Sequence, residues 1–569
     1  MNAINSFLSE RVDDLPLLLE HINKLEIAQI IDKNIKRHGN RKGASLGWIA
    51  QTWLAHIISK SDHRMNHVQN ALQQNIHAIQ TCIPVPIQEL DFTDDRLADV
   101  LKALDVDDIW RAIQTDINER TLKVFELPTD IVRLDATTIS VDTDPGGLLR
   151  LGHSKDHRPD MPQLKVMMAS LDPLAMPLAT LIVPGNSADD PHYLPAIEEV
   201  RASIQKRGIL YVGDCKMASL KTRKGVASGE DFYLTPLSAV QMPPEQLKLR
   251  FEPVLEGKQP LQAVSRPDEN GVMQLIAEGF EWTETQELDG FRWQERRLFI
   301  RSASFRKAAS HKLDERLCKA CIAIRKLGEQ GKGKRPPSDP EAFQAAIDKI
   351  LNAHQLRDLI AVNLTVKTSE RIVRPYKGQP ERVETIFLMA VSCSINLEAV
   401  EQAKELLGCR VFVVNSPIER LSLADVVLTY RDEYRIETNF SRLKGQSLSI
   451  APMFLQREDH MKGLVRLLSL GLRALTLLEF VVRERLAEAG EVLVGLYAGN
   501  PKRSTSTPTA ELLLEAFKNV TLLLVPQDGR HIRYLNPLTR LQERILKLLG
   551  YSTEVYTKLV ADSGICPEK

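Results

Sequence analysis

The chain has 569 residues, with 74 Lys+Arg balanced by 74 Asp+Glu, 43% hydrophobic and 26% charged. At about 150 residues per domain that length suggests three or four units, and the composition excludes disordered and collagen-like chains. The zero balance excludes a simple polybasic binder. It leaves nucleic acid open, because local Lys and Arg placement decides phosphate contact.

Seven cysteines (82, 215, 318, 321, 393, 409, 566) are too few and scattered for a disulfide framework, and their odd number suggests a reducing compartment. Residues 1–10 lack a basic stretch followed by an apolar one, so no signal peptide is expected. The greasiest stretch, Gly463 to Leu486, contains Arg466, Arg473, Glu479 and Arg483 and reads as a core helix rather than a membrane span. A soluble cytoplasmic protein is expected.

Residues 1–125 read as helical. Leu18, Ile22 and Leu25 keep helical spacing, and Ile27, Ile30, Ile31 and Ile35 broaden the apolar face. A basic cluster follows, Lys33, Lys36, Arg37, His38, Arg41 and Lys42, and then a helix over 46–58 with Trp48 and Trp53. A solvated helix end over a bundle core is the plain reading; a DNA-binding helical module is the sharper one.

From about 128 the period changes. Residues 130–141 alternate and are β-branched, predicting a strand with Asp135 at its middle. Residues 163–170 and 179–183 predict two more strands, the first ending at the Asp172-Pro173 turn. Asp190-Pro191 opens a helix to about 207, and 209–214 is a short strand ending in Asp214. Strand, strand, strand, helix, strand is how a ribonuclease-H-like core begins. Residues 272–287 and 291–301 predict paired strands around Asp289-Gly290. Helices are expected over 304–327 and 340–360, separated by a Gly/Pro/Lys loop at 328–337. Strand and helix then resume with 384–393 and 409–414. Beyond 450 the chain reads as mostly helical, and the last 70 residues as a small appendage.

Three acids carry the chemistry. A mid-strand carboxylate such as Asp135 is costly to bury unless it is paired or holds a metal. Asp214 stands at a strand's carboxyl end, where α/β sites gather, although such residues also cap helices. Residues 430–444, closed by Gly445, read as one helix with Ile436, Phe440 and Leu443 as its buried stripe. Tyr430, Glu437 and Lys444 are spaced seven and seven, so all three would line one edge; a solvated charged face is the alternative. Two strand aspartates and a helix glutamate can hold two Mg²⁺ ions through oxygen, and such a pair serves phosphodiester chemistry. Lys444 and Tyr430 would then contact a DNA backbone.

On these residues the chain resembles the DDE-type transposases of bacterial insertion sequences. It is most similar to the subgroup with a large β-rich insertion between the second aspartate and the glutamate. The signature helix is matched by Tyr430, Glu437 and Lys444. The arginine that the signature places three residues after the tyrosine is Glu433 here, with Arg431 and Arg435 flanking it. Asp135, in Leu134-Asp-Ala-Thr-Thr138, matches the first aspartate, and Asp214, in Val212-Gly-Asp-Cys-Lys216, the second. The separation, 437 − 214 = 223, suits the inserted subgroup. The segment 152–163 resembles one that this subgroup carries after the first aspartate, and its Lys155, His157 and Arg158 are candidate DNA contacts; a structured turn is the alternative.

The resemblance implies an α/β fold in which a ribonuclease-H-like core is interrupted by the insertion. Its parts would be a helical, DNA-binding 1–125, core segments 126–240 and 391–450, an insertion at 241–390 and a helical 451–569. Asp135, Asp214 and Glu437 would be the catalytic metal ligands, for two Mg²⁺ ions with Mn²⁺ as substitute. Tyr430, Arg431, Arg435, Lys444, Lys155, His157 and Arg158 would meet DNA. The implied activity is cleavage at insertion-sequence ends and 3′-hydroxyl strand transfer into target DNA. The protein would act as a homodimer on paired terminal inverted repeats, in the bacterial cytoplasm and on the nucleoid. A nuclease without strand transfer and a catalytically silent DNA-binding protein are the alternatives. Glu433, one turn before Glu437, is the rival third acid. Asp142 and Asp144 would point away from the face of Asp135 if the strand continued that far. Cys318 and Cys321 have no second pair nearby, and no zinc site is expected there.

Overall fold

The computed structural model describes residues 7–36, 42–268, 271–329, 339–374, 380, 382–527 and 530–560. Residues 37–41 of the basic cluster, 330–337 of the expected loop and Cys566 lie outside them. The chain divides into two units. One comprises Met1–Thr235, Glu287–Trp293 and Thr429–Lys569, and the other Pro236–Gln286 and Gln294–Leu428.

The first unit is built on strands in the spatial order Met176–Pro184, Gln163–Leu171, Ile131–Ser140, Leu210–Gly213, Phe232–Pro236. The first three run antiparallel, and Ile131–Ser140, Leu210–Gly213 and Phe232–Pro236 are parallel neighbours. Every residue of Gln163–Leu171 is buried, as a strand covered on both faces requires. Helices Tyr193–Ile204 and Glu458–Ala489 pack on Met176–Pro184, and Tyr434–Lys444 packs on Ile131–Ser140.

The 32-residue helix Glu458–Ala489 is almost wholly buried from His460 to Leu478, which places the apolar run in a core. Among the described residues no helix is long and apolar enough to cross a membrane. Arg466 Nη1 donates to Leu104 O and Asp105 O, both at 2.7 Å, at the end of helix Asp94–Asp105. Arg473 is fully buried, bonded to Asn118 Oδ1 and Pro177 O at 2.6 Å, and burial pushes its guanidinium down to about 9.

Helices Glu458–Ala489 and Asp94–Asp105 meet at Gly463, where an added Cβ would come within 2.2 Å of Leu101 O. Backbone cannot yield as a flexible side chain can, so Gly463→Val is expected to destabilise by about 3 kcal/mol. Gly146, with nothing within 4 Å of an added Cβ, is the control. Gly146→Ala should stay within about 0.5 kcal/mol in chemical denaturation.

Two buried histidines make the first unit acid-sensitive. Burial pushes His21 and His56 down to about 4, and His21 is bonded to Tyr551 Oη and Ala474 O at 3.0 Å. An unfolded imidazole takes its proton near 6.5, so below that pH the unfolded state binds more protons. The stability is complete above about 6.5 and is lost as pH falls towards 4, by about 3 kcal/mol for His21. Burial raises Asp14 to about 6, which acts in the opposite sense and offsets part of the loss. Unfolding free energies from pH 7 to 4 should show a shallower decline in His21→Gln than in the parent; equal slopes would contradict this.

Several elements depart from the sequence expectations. Leu8–Arg11 is a strand paired with Thr521–Gln527, which also pairs with Arg530–Leu535. The last 70 residues are thus tied to the start of the chain rather than hung from it, and 451–569 holds short strands as well as helices. The region 430–444 is two helices, Leu423–Arg431 and Tyr434–Lys444. Between them the N–H groups of Glu433, Arg435 and Ile436 reach back three residues, to Tyr430, Asp432 and Glu433, a 3₁₀-like tightening that breaks the α-helical row. Gly445 ends the second helix in an extended conformation, φ −83° and ψ −161°, rather than a left-handed one.

In the second unit Gln262–Pro267 pairs antiparallel with Met273–Leu288, and Cys409–Val414 with Phe291–Ser302. The Asp289-Gly290 turn has φ +49° and +75°, the left-handed pair of a tight hairpin; this tip belongs to the first unit. Helix Pro340–His354 stops at Gln355, φ +55°, short of the expected 360. A long hairpin follows, Ile360–Val373 against Arg382–Ile395. Ile324, Phe343, Ile347 and Ile360 are among the residues that form its core with the helices.

Candidate active site

Leu134 on strand Ile131–Ser140 is in register with Gly213 on the parallel strand Leu210–Gly213. The next residue on each, Asp135 and Asp214, therefore stand side by side. Gly213 leaves room for this approach, since a Cβ there would meet Met217 Sδ at 2.8 Å and Leu134 O at 3.2 Å.

Asp135 Oδ1 accepts from the Ala136 N–H at 2.7 Å and from Lys155 Nζ at 3.1 Å. Asp214 Oδ1 accepts from Tyr193 Oη at 2.6 Å and the Lys216 N–H at 2.9 Å. Among the described residues neither Oδ2 receives a hydrogen bond. Burial raises the Asp135 carboxyl, Lys155 pulls it back, and the charge of Asp214 adds to the rise. Burial and then Asp214 hold the Tyr193 phenol well above its ordinary value, so it stays a donor.

Glu433, half-buried in the break between the two helices, joins this group. Its carboxyl is raised by burial first, then by Asp135, with Asp214 and Glu437 adding to the rise; a hydrogen bond with Tyr430 pulls the other way. Glu437 is exposed in the first turn of Tyr434–Lys444. Asp135, Asp214 and Glu433 share one electrostatic neighbourhood, and Glu437 adjoins it through Glu433. Among the described residues, however, no three His, Cys, Asp or Glu side chains are placed to hold one metal ion. Asp142 and Asp144 lie beyond the strand end and are exposed.

The segment 152–163 is pinned over the same strand. The Lys155 N–H donates to Thr138 Oγ1 at 2.9 Å, and Ser140 Oγ to Asp156 Oδ2 at 3.4 Å. Lys444 Nζ pairs with Asp156 Oδ1 at 2.5 Å, joining the end of helix Tyr434–Lys444 to this segment. His157 is exposed with φ +58°, and exposed Arg158 is paired with Asp160 at 2.9 Å. Arg435 is engaged elsewhere: it donates to Pro173 O at 2.6 Å and Asp432 Oδ2 at 2.9 Å. Arg431 is exposed, and Tyr430 lies on the preceding helix, half-buried. Tyr193 escaped the sequence reading, since nothing in its surroundings along the chain points to Asp214.

Residues 126–471 match the family model of the transposase DDE domain. The chain belongs to that family. It is an enzyme, a DDE transposase that acts in DNA transposition. No curated protein matches the transposase. Among solved structures it is similar to a piggyBac transposase synaptic complex with hairpin DNA. The identity is 8%, 95% of this chain and 81% of that chain are covered, and the TM-score is 0.33. So distant a likeness carries nothing about the site. DDE transposases generally use divalent metal ions.

Proposed function

We propose that the transposase cuts DNA at the ends of a bacterial insertion sequence and transfers the freed 3′-hydroxyl into target DNA. Asp135, Asp214 and Glu437 are the acids assigned to this chemistry. The observation that carries the reading is the register of Leu134 with Gly213, which sets two carboxylates side by side on neighbouring parallel strands. The strand order, three antiparallel strands followed by two parallel additions, supports a ribonuclease-H-like core.

The donor set fits a hard divalent cation. It is all carboxylate oxygen, and Oδ2 of both aspartates is without a protein hydrogen bond among the described residues. Asp135, Asp214 and Glu437 would hold Mg²⁺, two ions in number and replaceable by Mn²⁺, which would supply Lewis acidity for phosphodiester displacement. The chain's own residues set the geometry. Ala136 N–H fixes the rotamer of Asp135, while Tyr193 and the Lys216 N–H fix that of Asp214. Glu437 faces solvent, where a DNA backbone would arrive. Lys155, His157, Arg158, Tyr430, Arg431 and Lys444 are assigned to phosphate contacts, which position DNA without reading its sequence. Arg435 is assigned the same task, on condition that it leaves Pro173 and Asp432. A homodimer bridging two inverted repeats is the expected working form.

The test is incubation of duplex DNA carrying the element ends with protein, target DNA and Mg²⁺. Nicked ends and joined products are expected. Cutting without joining would reduce the enzyme to a nuclease. Binding without cleavage in either Mg²⁺ or Mn²⁺ would contradict the reading.

A further inference from the structure

Lys155 is the one cation bonded directly to an aspartate of the pair among the described residues. Its Nζ lies 3.1 Å from Asp135 Oδ1 and also donates to Ala136 O. Its backbone is held to Thr138, and the flanking Asp156 to Ser140 and Lys444. The main chain is thus fixed while the side chain, 36% exposed, has room to swing. We propose that Lys155 is a built-in counter-cation for Asp135, which a divalent ion must displace and which the DNA backbone then receives. The inference rests on the assignment of Asp135 to the metal.

The charges support this exchange. Paired with Asp135 Oδ1 at 3.1 Å, the ammonium repels a second cation on the same carboxylate. Once displaced, it has little to receive it within the site. Asp189 is already paired with Lys165 at 2.5 Å, and Asp214 is the other member of the acid pair. A phosphodiester supplies the missing anion from outside, and Lys is suited to it as a mobile point charge. Metal and DNA binding then help each other, because each removes an obstacle to the other. Without DNA the ammonium guards the carboxylates against idle loading.

Mn²⁺ binding, read by the loss of the free-ion electron paramagnetic resonance signal, tests this without turnover. The proteins are the parent, Lys155→Met, Asp135→Asn and the double variant, with and without a short duplex of arbitrary sequence. Lys155→Met is expected to bind Mn²⁺ about tenfold tighter than the parent without DNA. DNA should tighten binding by a similar factor in the parent and not in Lys155→Met, and Asp135→Asn should erase the gain. Lys155→Gln, which retains a donor for Ala136 O, is the second variant should the methionine perturb folding. Equal or weaker affinity in both Lys155 variants, with Asp135→Asn still weakening the parent, overturns the counter-cation and leaves the metal assignment standing. Affinity indifferent to Asp135→Asn overturns both.

Discussion

Asp135→Asn and Asp214→Asn are each expected to lower Mg²⁺-dependent end cleavage by about 10³-fold or more, the scale on which a directed electrostatic group acts in a transition state. Asparagine keeps the shape and one acceptor oxygen but removes the charge that a hard cation requires. Stability should change little. The Asp135 carboxylate already stands against burial and against Asp214, so neutralising it relieves a cost while forfeiting the Lys155 contact. The two effects oppose, and a net change within about 1 kcal/mol is expected, or roughly 1–2 °C in Tm for a unit of this size. A large loss of cleavage with an unchanged melting profile is the result to look for. Joint loss of cleavage and fold would mean that the aspartates hold the sheet together instead.

Glu437→Gln should match the aspartate variants, with a loss of about 10³-fold, whereas Glu433→Gln should lose no more than about tenfold. Glu433 feels the charges of Asp135, Asp214 and Glu437, and the two glutamates differ in access. Glu437 is exposed at the start of its helix, and Glu433 is half-buried in the break behind it. On this assignment Glu433 tunes the charge that its neighbours feel, and Glu437 faces the substrate. Single-turnover cleavage separates these roles from binding. The opposite ranking, with Glu433→Gln the inactive variant, would move the third acid to position 433.

Much of the fold was legible because its signals are local. The alternation around Asp135, the apolar run ending at Asp214 and the Asp289-Gly290 turn each specify an element within a few residues. What the sequence reading missed depends on distant partners. Leu8–Arg11 has no apolar alternation, and only Glu10 is buried. Glu10 accepts from the N–H groups of His77 and Ala78 at 3.1 and 2.9 Å, which the local sequence gives no reason to expect. The alternation of Val362, Leu364 and Val366 against Asn363, Thr365 and Lys367 does signal strand Ile360–Val373, and the helical pattern running into it hid where it began.

The candidate site divides the same way. Residue types and spacing single out Asp135, Asp214 and Glu437, yet the row of Tyr430, Glu437 and Lys444 assumed one continuous helix. The three-residue hydrogen bonds at Glu433–Ile436 break it. Tyr193 and the Lys155–Asp135 pair are tertiary, and only the folded chain reveals them.

The most direct test of the central claim exchanges one proposed ligand for a softer one. Asp214→Cys places a thiolate where an oxygen stood, and Mn²⁺ accepts sulfur more readily than Mg²⁺ does. The account predicts that Asp214→Cys is inactive with Mg²⁺ and recovers end cleavage with Mn²⁺, by at least about tenfold over Asp214→Ala under the same conditions. Equal inactivity of the cysteine and alanine variants in both metals, or full activity of the cysteine variant in Mg²⁺, would contradict the assignment of Asp214 to the metal.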